Sequence, residues 1–370
     1  VPELVKELGL AGDIILLPAQ TGMYFNGRHW KLSSPIDLLR FKALSLIDRI
    51  RLGLLVFQVR QIKNWKKIEH LSIREWLEPI CGKSVYRIVW EPLITAKFSI
   101  FAEAVSAVWM WKKLVLRGST RNLKGGEELA YFKGGFGRLA EKLVEVIEDN
   151  GGEVSLGHRV VAVNTSGDHV TEIITDKSQI KGEKFLFTTS FPVIANLFEG
   201  HAEAQWVSSL RRVKYLGNMC LVLRLNQSLS ETYWLNVNDP GFPFVGVIEH
   251  TNFDTQDNYE GSNIAYLSRY LATEDEIWNY TDVEYFDFAV KYLKQMFPKF
   301  EKSWVIDFKV WRAEYAQPVT EKNYSKYVPG RETPFKNAFI STMAQIYPED
   351  RGTNYAIREG TNIAKLLANE

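Results

Sequence analysis

The sequence predicts a doubly wound α/β domain joined to an α+β domain, and three stretches carry that expectation. Residues 338–342 (Ala338-Phe339-Ile340-Ser341-Thr342) read as a short apolar strand, with a loop closed at Pro348 and a helix from about Asn354 behind it. Residues 131–190 run strand, helix, strand, meander and strand, which is how the chain winds about an open sheet. Residues 191–333 hold strands and helices that do not alternate strictly, the α+β pattern.

Taken in order, residues 2–10 form a short helix and 14–17 a strand. Asn26-Gly27 between apolar stretches 22–25 and 30–32 is a hairpin turn, because both residues tolerate positive φ. Ser34-Pro35 starts a helix, Ser45 opens another running to about Lys63, and Ser72-Ile73-Arg74-Glu75 is a capping box for a third. Residues 124–127 are a Gly-rich charged hinge. After Asn150-Gly151-Gly152 stops a helix, 153–156 and 158–163 read as strands, 170–174 and 179–181 as a meander, and 185–190 as a buried strand ending in Thr188-Thr189-Ser190. Further strands fall at 219–225, 233–237, 244–249, 264–270 and 304–312. Thr273 and Thr281 each cap a helix.

Composition narrows the function. The chain has 370 residues, enough for two cores, and its net charge of +1 carries no general affinity for nucleic acid. Its 13% aromatic content, with 11 Trp, suits an apolar pocket or a large core. Cys81 and Cys220 are far apart in sequence, which fits a reducing, cytoplasmic compartment; with scattered histidines, no metal site is expected. Residues 40–67 mix Arg and Lys with Leu52, Leu54, Leu55 and Phe57. This is a solvated face over a core or a peripheral membrane contact. Cys81-Gly82-Lys83-Ser84 is not a phosphate-binding loop, since Leu77 stands where the motif needs glycine. Gly135-x-Gly137-x-x-Ala140 opens a helix with dinucleotide-fingerprint spacing. The residues before it are not a buried parallel strand, and Glu153 follows too soon to hold a ribose.

The segment Tyr347-Pro348-Glu349-Asp350-Arg351-Gly352-Thr353-Asn354-Tyr355-Ala356-Ile357-Arg358-Glu359-Gly360, behind its strand, resembles the C-terminal FAD-binding segment of the flavin amine oxidase superfamily. The branch it is similar to is that of protoporphyrinogen oxidase and phytoene desaturase, and residues 86–109, 131–163 and 246–252 are similar to the same branch. The resemblance implies an FAD cofactor. It places the backbone amides of Gly352, Thr353, Asn354 and Tyr355 against the flavin ring and a nearby phosphate. Arg351 departs from the small residues usual there and either adds charge toward the cofactor or faces solvent. Val160 takes the adenine contact through its backbone, or is a core strand residue, or both.

The resemblance also divides the chain: a mostly helical substrate part at 1–130, FAD-binding parts at 131–200 and 334–370, and a mixed substrate part at 201–333. The family's opening strand and GxGxxG turn do not precede Val1, so the FAD domain is expected to be incomplete at its N-terminus, as a fragment or a degenerate relative. The implied activity is FAD-dependent removal of a hydride equivalent from a C–N or C–C bond of a small molecule, with an unidentified electron acceptor. Substrate-side candidates are His250, Asn252, Tyr315 and Gln317; each also reads as an ordinary hydrogen-bonded residue. Lys97 meets an acidic substrate or snorkels. No general base is named. The alternatives are a sugar-nucleotide mutase-like flavoenzyme using Arg211, Arg212, Lys214 and Tyr215, and a non-catalytic remnant.

Overall fold

The structure is a computed structural model, and it describes residues 1–32, 35–117 and 128–369; the helix start at Ser34 and the hinge at 124–127 lie outside them. In chain order, α1 (Pro2–Glu7) leads to β1 (Ile14–Pro18) and the hairpin β2 (Thr21–Phe25) and β3 (Arg28–Lys31). Asn26 and Gly27 both take positive φ at its turn, as the pair requires. The helices α2 (Pro35–Arg40), α3 (Leu46–Gln61), α4 (Ile73–Cys81), α5 (Lys83–Val85), α6 (Glu91–Phe98) and α7 (Ala107–Arg117) follow. Ser45 caps α3 through Asp48 N–H, and Ser72 with Glu75 closes a complete capping box on α4. Tyr86–Trp90 forms a π turn between α5 and α6, which the apolar periodicity does not reveal.

Then come β4 (Glu128–Phe132), α8 (Gly137–Asp149), β5 (Val160–Ser166), β6 (His169–Thr175), β7 (Gln179–Lys181), β8 (Phe185–Phe187), α9 (Phe191–Leu197) and α10 (Ala204–Arg211). The last third holds β9 (Tyr215–Leu225), β10 (Trp234–Val237), β11 (Gly246–Glu249), β12 (Asn263–Leu271), α11 (Asp282–Met296), β13 (Val305–Pro318), β14 (Ala338–Ile340) and α12 (Thr353–Asn369).

Two sequence expectations change here. Residues 153–156 are not a strand: Gly151 and Gly152 close α8 with backbone bonds to Glu148 and Ile147, and Leu156 is 85% exposed with no sheet to join. The helix expected after Thr273 is only the 3-10 turn Glu276–Asn279, capped by Asp275, because Thr281 starts α11 two residues on, with its own capping box.

The chain divides into two units. One comprises Val1–Ile15, Phe132–Lys214 and Asn323–Glu370; the other comprises Leu16–Tyr131 and Tyr215–Lys322. The first fifteen residues thus leave the substrate part in which the sequence placed them. The reason is packing: Val5, Leu8 and Leu10 share a core with Phe132 and Leu139. The later boundaries fall at Lys214 and Asn323 rather than 200 and 334.

In the first unit β8 and β14 pair in parallel, and β5, β6 and β7 form an antiparallel meander. Phe187, Trp206 and Phe335 pack their rings around Phe198. In the second, seven strands run in the order β13-β9-β12-β11-β10-β2-β3. All neighbours in it are antiparallel except β10 and β2. The inward side chains of β9 alternate at 0% exposure (Met219, Leu221, Leu223, Leu225) and meet Tyr285, Ala289 and Leu293 of α11.

Candidate functional site

The site is built at the carboxyl ends of β8 and β14, where an open α/β sheet offers its ligand crevice. Ala338, Phe339 and Ile340 face Phe185, Leu186 and Phe187 in register, and Ser341 N–H continues the ladder to Phe187 O at 3.0 Å. β14 is apolar and buried throughout, which fixes the chain firmly up to Ser341. Asn337 fastens this pair to the meander: its Oδ1 accepts from Val170 N–H at 2.9 Å, and its Nδ2 donates to Val170 O at 2.8 Å and Glu183 O at 3.0 Å.

Past the strand, Thr342 is 5% exposed and heads the 3-10 turn Met343–Gln345. Its N–H donates to Gln345 Oε1 at 2.7 Å, while Gln345 Nε2 donates to Pro329 O and Gly330 O. The loop is held to α12 by charge. Arg358 reaches Glu349 at 3.4 Å and Glu359 at 2.8 Å, and Glu359 also pairs with Arg331.

Gly352, not Thr353 or Asn354, occupies the cap position of α12: its carbonyl accepts the N–H groups of Tyr355 at 3.0 Å and Ala356 at 2.9 Å. A glycine cap supplies no side-chain oxygen, so the first-turn amides look outward at the positive end of the helix dipole. The first turn contains no acid. A Cβ on Gly352 would lie 3.1 Å from Asn354 Oδ1 and 3.8 Å from Tyr355 Cδ2. Thr353 and Asn354 are exposed, and Arg358 stacks 5.0 Å from the Tyr355 ring centre. Arg351 turns to Asp350 at 3.9 Å.

Val160 opens β5 opposite Thr175, half-buried; two residues earlier, His158 Nδ1 is buried without a partner. This donor set fits the ring edge and a phosphate of a flavin nucleotide: outward amides in a first turn that holds no acid. The Gly135/Gly137 turn is not part of it. β4 before that turn pairs with β1, outside the parallel pair, and Arg138 beyond it is drawn to Asp13.

The four substrate-side candidates are all in the second unit but fall into two groups. His250 and Asn252 share the turn that ends β11, whereas Tyr315 and Gln317 are on β13, separated from β11 by β12 and β9. His250 is 7% exposed, and its Nε2 is 2.7 Å from Tyr259 Oη, which in turn donates to Asp254 Oδ2 at 3.0 Å. With the Tyr259 hydroxyl donating to Asp254, its oxygen is left to accept from His250 in the tautomer protonated at Nε2. Burial lowers the His250 pKa against the opposing pull of Asp254, favouring the neutral ring. Asn252 Nδ2 caps Ser230 O and Thr232 O. Tyr315 packs edge-on to Tyr215, and burial first, then Glu314, pushes its pKa up to about 12. Gln317 is fully buried and donates to Pro318 O at 2.8 Å.

None of the four is among the residues lining the cavity of about 440 Å³ in the second unit, where Arg87, Thr95 and Arg269 face Phe242, Pro243 and Tyr270. The π turn that carries Arg87 is held by Asn238, whose Nδ2 donates to Ile88 O and Val89 O at 3.0 Å. Sequence reasoning missed this cavity. The one available signal was Asp239-Pro240-Gly241-Phe242-Pro243, a turn dense in proline. Lys97, half-buried, stacks 4.6 Å from the Tyr270 ring centre. Of the mutase candidates, Arg211 is held by Glu199 at 2.8 Å and by Asn196 at 3.0 Å, and Arg212 stacks on Tyr327 at 4.1 Å.

The cysteines are equally engaged by packing. Burial pushes both the Cys81 and the Cys220 thiol up to about 11. The thiolate, not the thiol, is the nucleophile, so both are expected to react slowly with Ellman's reagent in the native protein and fully after denaturation. A rapid native reaction at either would overturn this reading.

Residues 1–367 match the family of flavin containing amine oxidoreductases. A 15-cis-phytoene desaturase of Capsicum annuum is 25% identical over 213 residues, which is 56% of this chain and 36% of that relative's length. A protein from Exiguobacterium sp. 255-15 described as a protoporphyrinogen oxidase superposes at TM-score 0.74 with 14% identity, covering 100% of this chain and 84% of that one. The cyclohexylamine oxidase of Brevibacterium oxydans does so at TM-score 0.63 with 12% identity, covering 100% of this chain and 84% of that one. The structural likenesses carry the fold. No helix among the described residues is long and apolar enough to cross a membrane. With the match running nearly end to end, the chain belongs to the flavin containing amine oxidoreductase family, and FAD is the cofactor this membership assigns to it.

Proposed function

We propose that the protein is an FAD-dependent oxidoreductase that takes a hydride equivalent from a C–N or C–C bond of a small molecule. The observation that carries this reading is the bare amino end of α12, capped by Gly352 and set beyond the carboxyl end of β14. Bound flavin supplies the two-electron acceptance, and the polypeptide supplies binding and orientation. In this role the amides of Gly352, Thr353, Asn354 and Tyr355 hold the ring edge and a phosphate, and the Val160 backbone meets the adenine. The cavity beside Arg87 and Arg269 suits a small molecule with an apolar body and an acidic end. The sugar-nucleotide mutase reading is less well supported, because Arg211 and Arg212 already have close partners.

The test is a visible spectrum. Protein mixed with FAD and desalted is expected to stay yellow and then to bleach anaerobically when an oxidisable amine or porphyrinogen is added. A folded but colourless protein would sink the proposal. Yellow protein that none of these compounds reduces would retain the cofactor and remove the proposed substrates.

A further inference from the structure

We propose that α3 docks this protein on the surface of an anionic lipid bilayer, lying in the interface without crossing it. Five large apolar side chains of α3 are exposed: Leu46, Ile47, Ile50, Leu54 and Phe57, each between 51% and 66%. At 100° per residue they fall within an arc of about 100°, a continuous stripe along the helix. This is not the face that holds the helix to its unit. Leu55 and Val59, on the other side, are buried, and Val59 O accepts from Trp111 Nε1 at 3.1 Å. α3 therefore has two apolar faces, one packed and one bare, as a surface helix over a core does not. α2 adds Ile36 and Leu39, also exposed, and Arg49 ties its end to α3 through Leu39 O and Leu44 O.

Charge selects the occupant. Residues 40–67 hold eight Lys and Arg (Arg40, Lys42, Arg49, Arg51, Arg60, Lys63, Lys66, Lys67) against one acid, Asp48, in a chain whose total is only +1. On the helical wheel Arg51 borders one edge of the stripe and Arg60 the other. Long basic side chains beside an apolar stripe reach lipid phosphates while the stripe enters the acyl boundary. A second copy of the chain would set one basic rim against another, so an anionic bilayer is the better fit.

The experiment uses the full chain with sedimented vesicles of phosphatidylcholine, with and without phosphatidylserine. Binding is expected with phosphatidylserine and is expected to fall in high salt. The triple variant Ile50→Ser/Leu54→Ser/Phe57→Ser is expected to bind roughly tenfold more weakly or worse, as is Arg51→Gln/Lys63→Gln. These positions are exposed, so both variants are expected to keep the wild-type melting temperature. Absence of vesicle binding overturns the proposal, as does equal binding by the variants. A wild-type dimer that ignores vesicles and dissociates in the triple variant overturns it too, giving the face to a second copy.

Discussion

Gly352→Val is expected to leave the protein folded and to weaken FAD binding at least about tenfold, about 1.4 kcal/mol. Gly352 does not take positive φ, so a side chain there does not strain the backbone. What it does is crowd the helix entrance, with its Cβ 3.1 Å from Asn354 Oδ1 and its two methyls over amides that would otherwise meet the ligand. Two readings separate the effects: thermal unfolding of the FAD-free protein, expected to be unchanged, and FAD affinity by flavin fluorescence, expected to fall. Unaltered affinity removes Gly352 from the site. Lower affinity with an equally lowered melting temperature makes it a structural residue.

The second large effect is at Asn337. Asn337→Leu removes three hydrogen bonds at once and leaves Val170 N–H, Val170 O and Glu183 O to find other partners. A net hydrogen bond is worth about 1 kcal/mol and a buried orphan costs about 1–3 kcal/mol, so a loss of about 2–4 kcal/mol is expected. Urea unfolding reads it directly. Asn337→Asp is the informative companion, since it keeps the acceptor for Val170 N–H but loses both donations. A loss below about 0.5 kcal/mol for the leucine variant, the range of ordinary surface changes, would show that the meander is held by its apolar contacts alone.

The strongly patterned parts were legible from residues. Ser72 and Glu75 make the capping box that their spacing requires, Asn26-Gly27 makes the hairpin turn, and the apolar run 338–340 is a buried strand. What failed were features decided by partners distant in the chain. Residues 153–156 had strand composition but no neighbour to bond, and residues 1–15 were assigned to the wrong unit because their core partner, Phe132, comes more than a hundred residues later. Within the site, the helix entrance was visible as a small polar stretch, but which residue caps it was not. Thr353 and Asn354 have the better capping side chains, and the backbone nevertheless places Gly352 there. The cavity beside Arg87 depends on a π turn and on Asn238 meeting it from far along the chain, which no local pattern encodes.

The parallel pairing of β2 with β10 has a consequence for biosynthesis. The hairpin turn at Asn26 is anchored by Asp239, 213 residues downstream. At a ribosomal rate of about 5–20 residues per second, the nascent hairpin waits about ten to forty seconds for that partner. During that interval the β2 edge that later pairs with β10 is open to any other extended peptide, and chaperone capture or premature self-association competes with completion of the sheet.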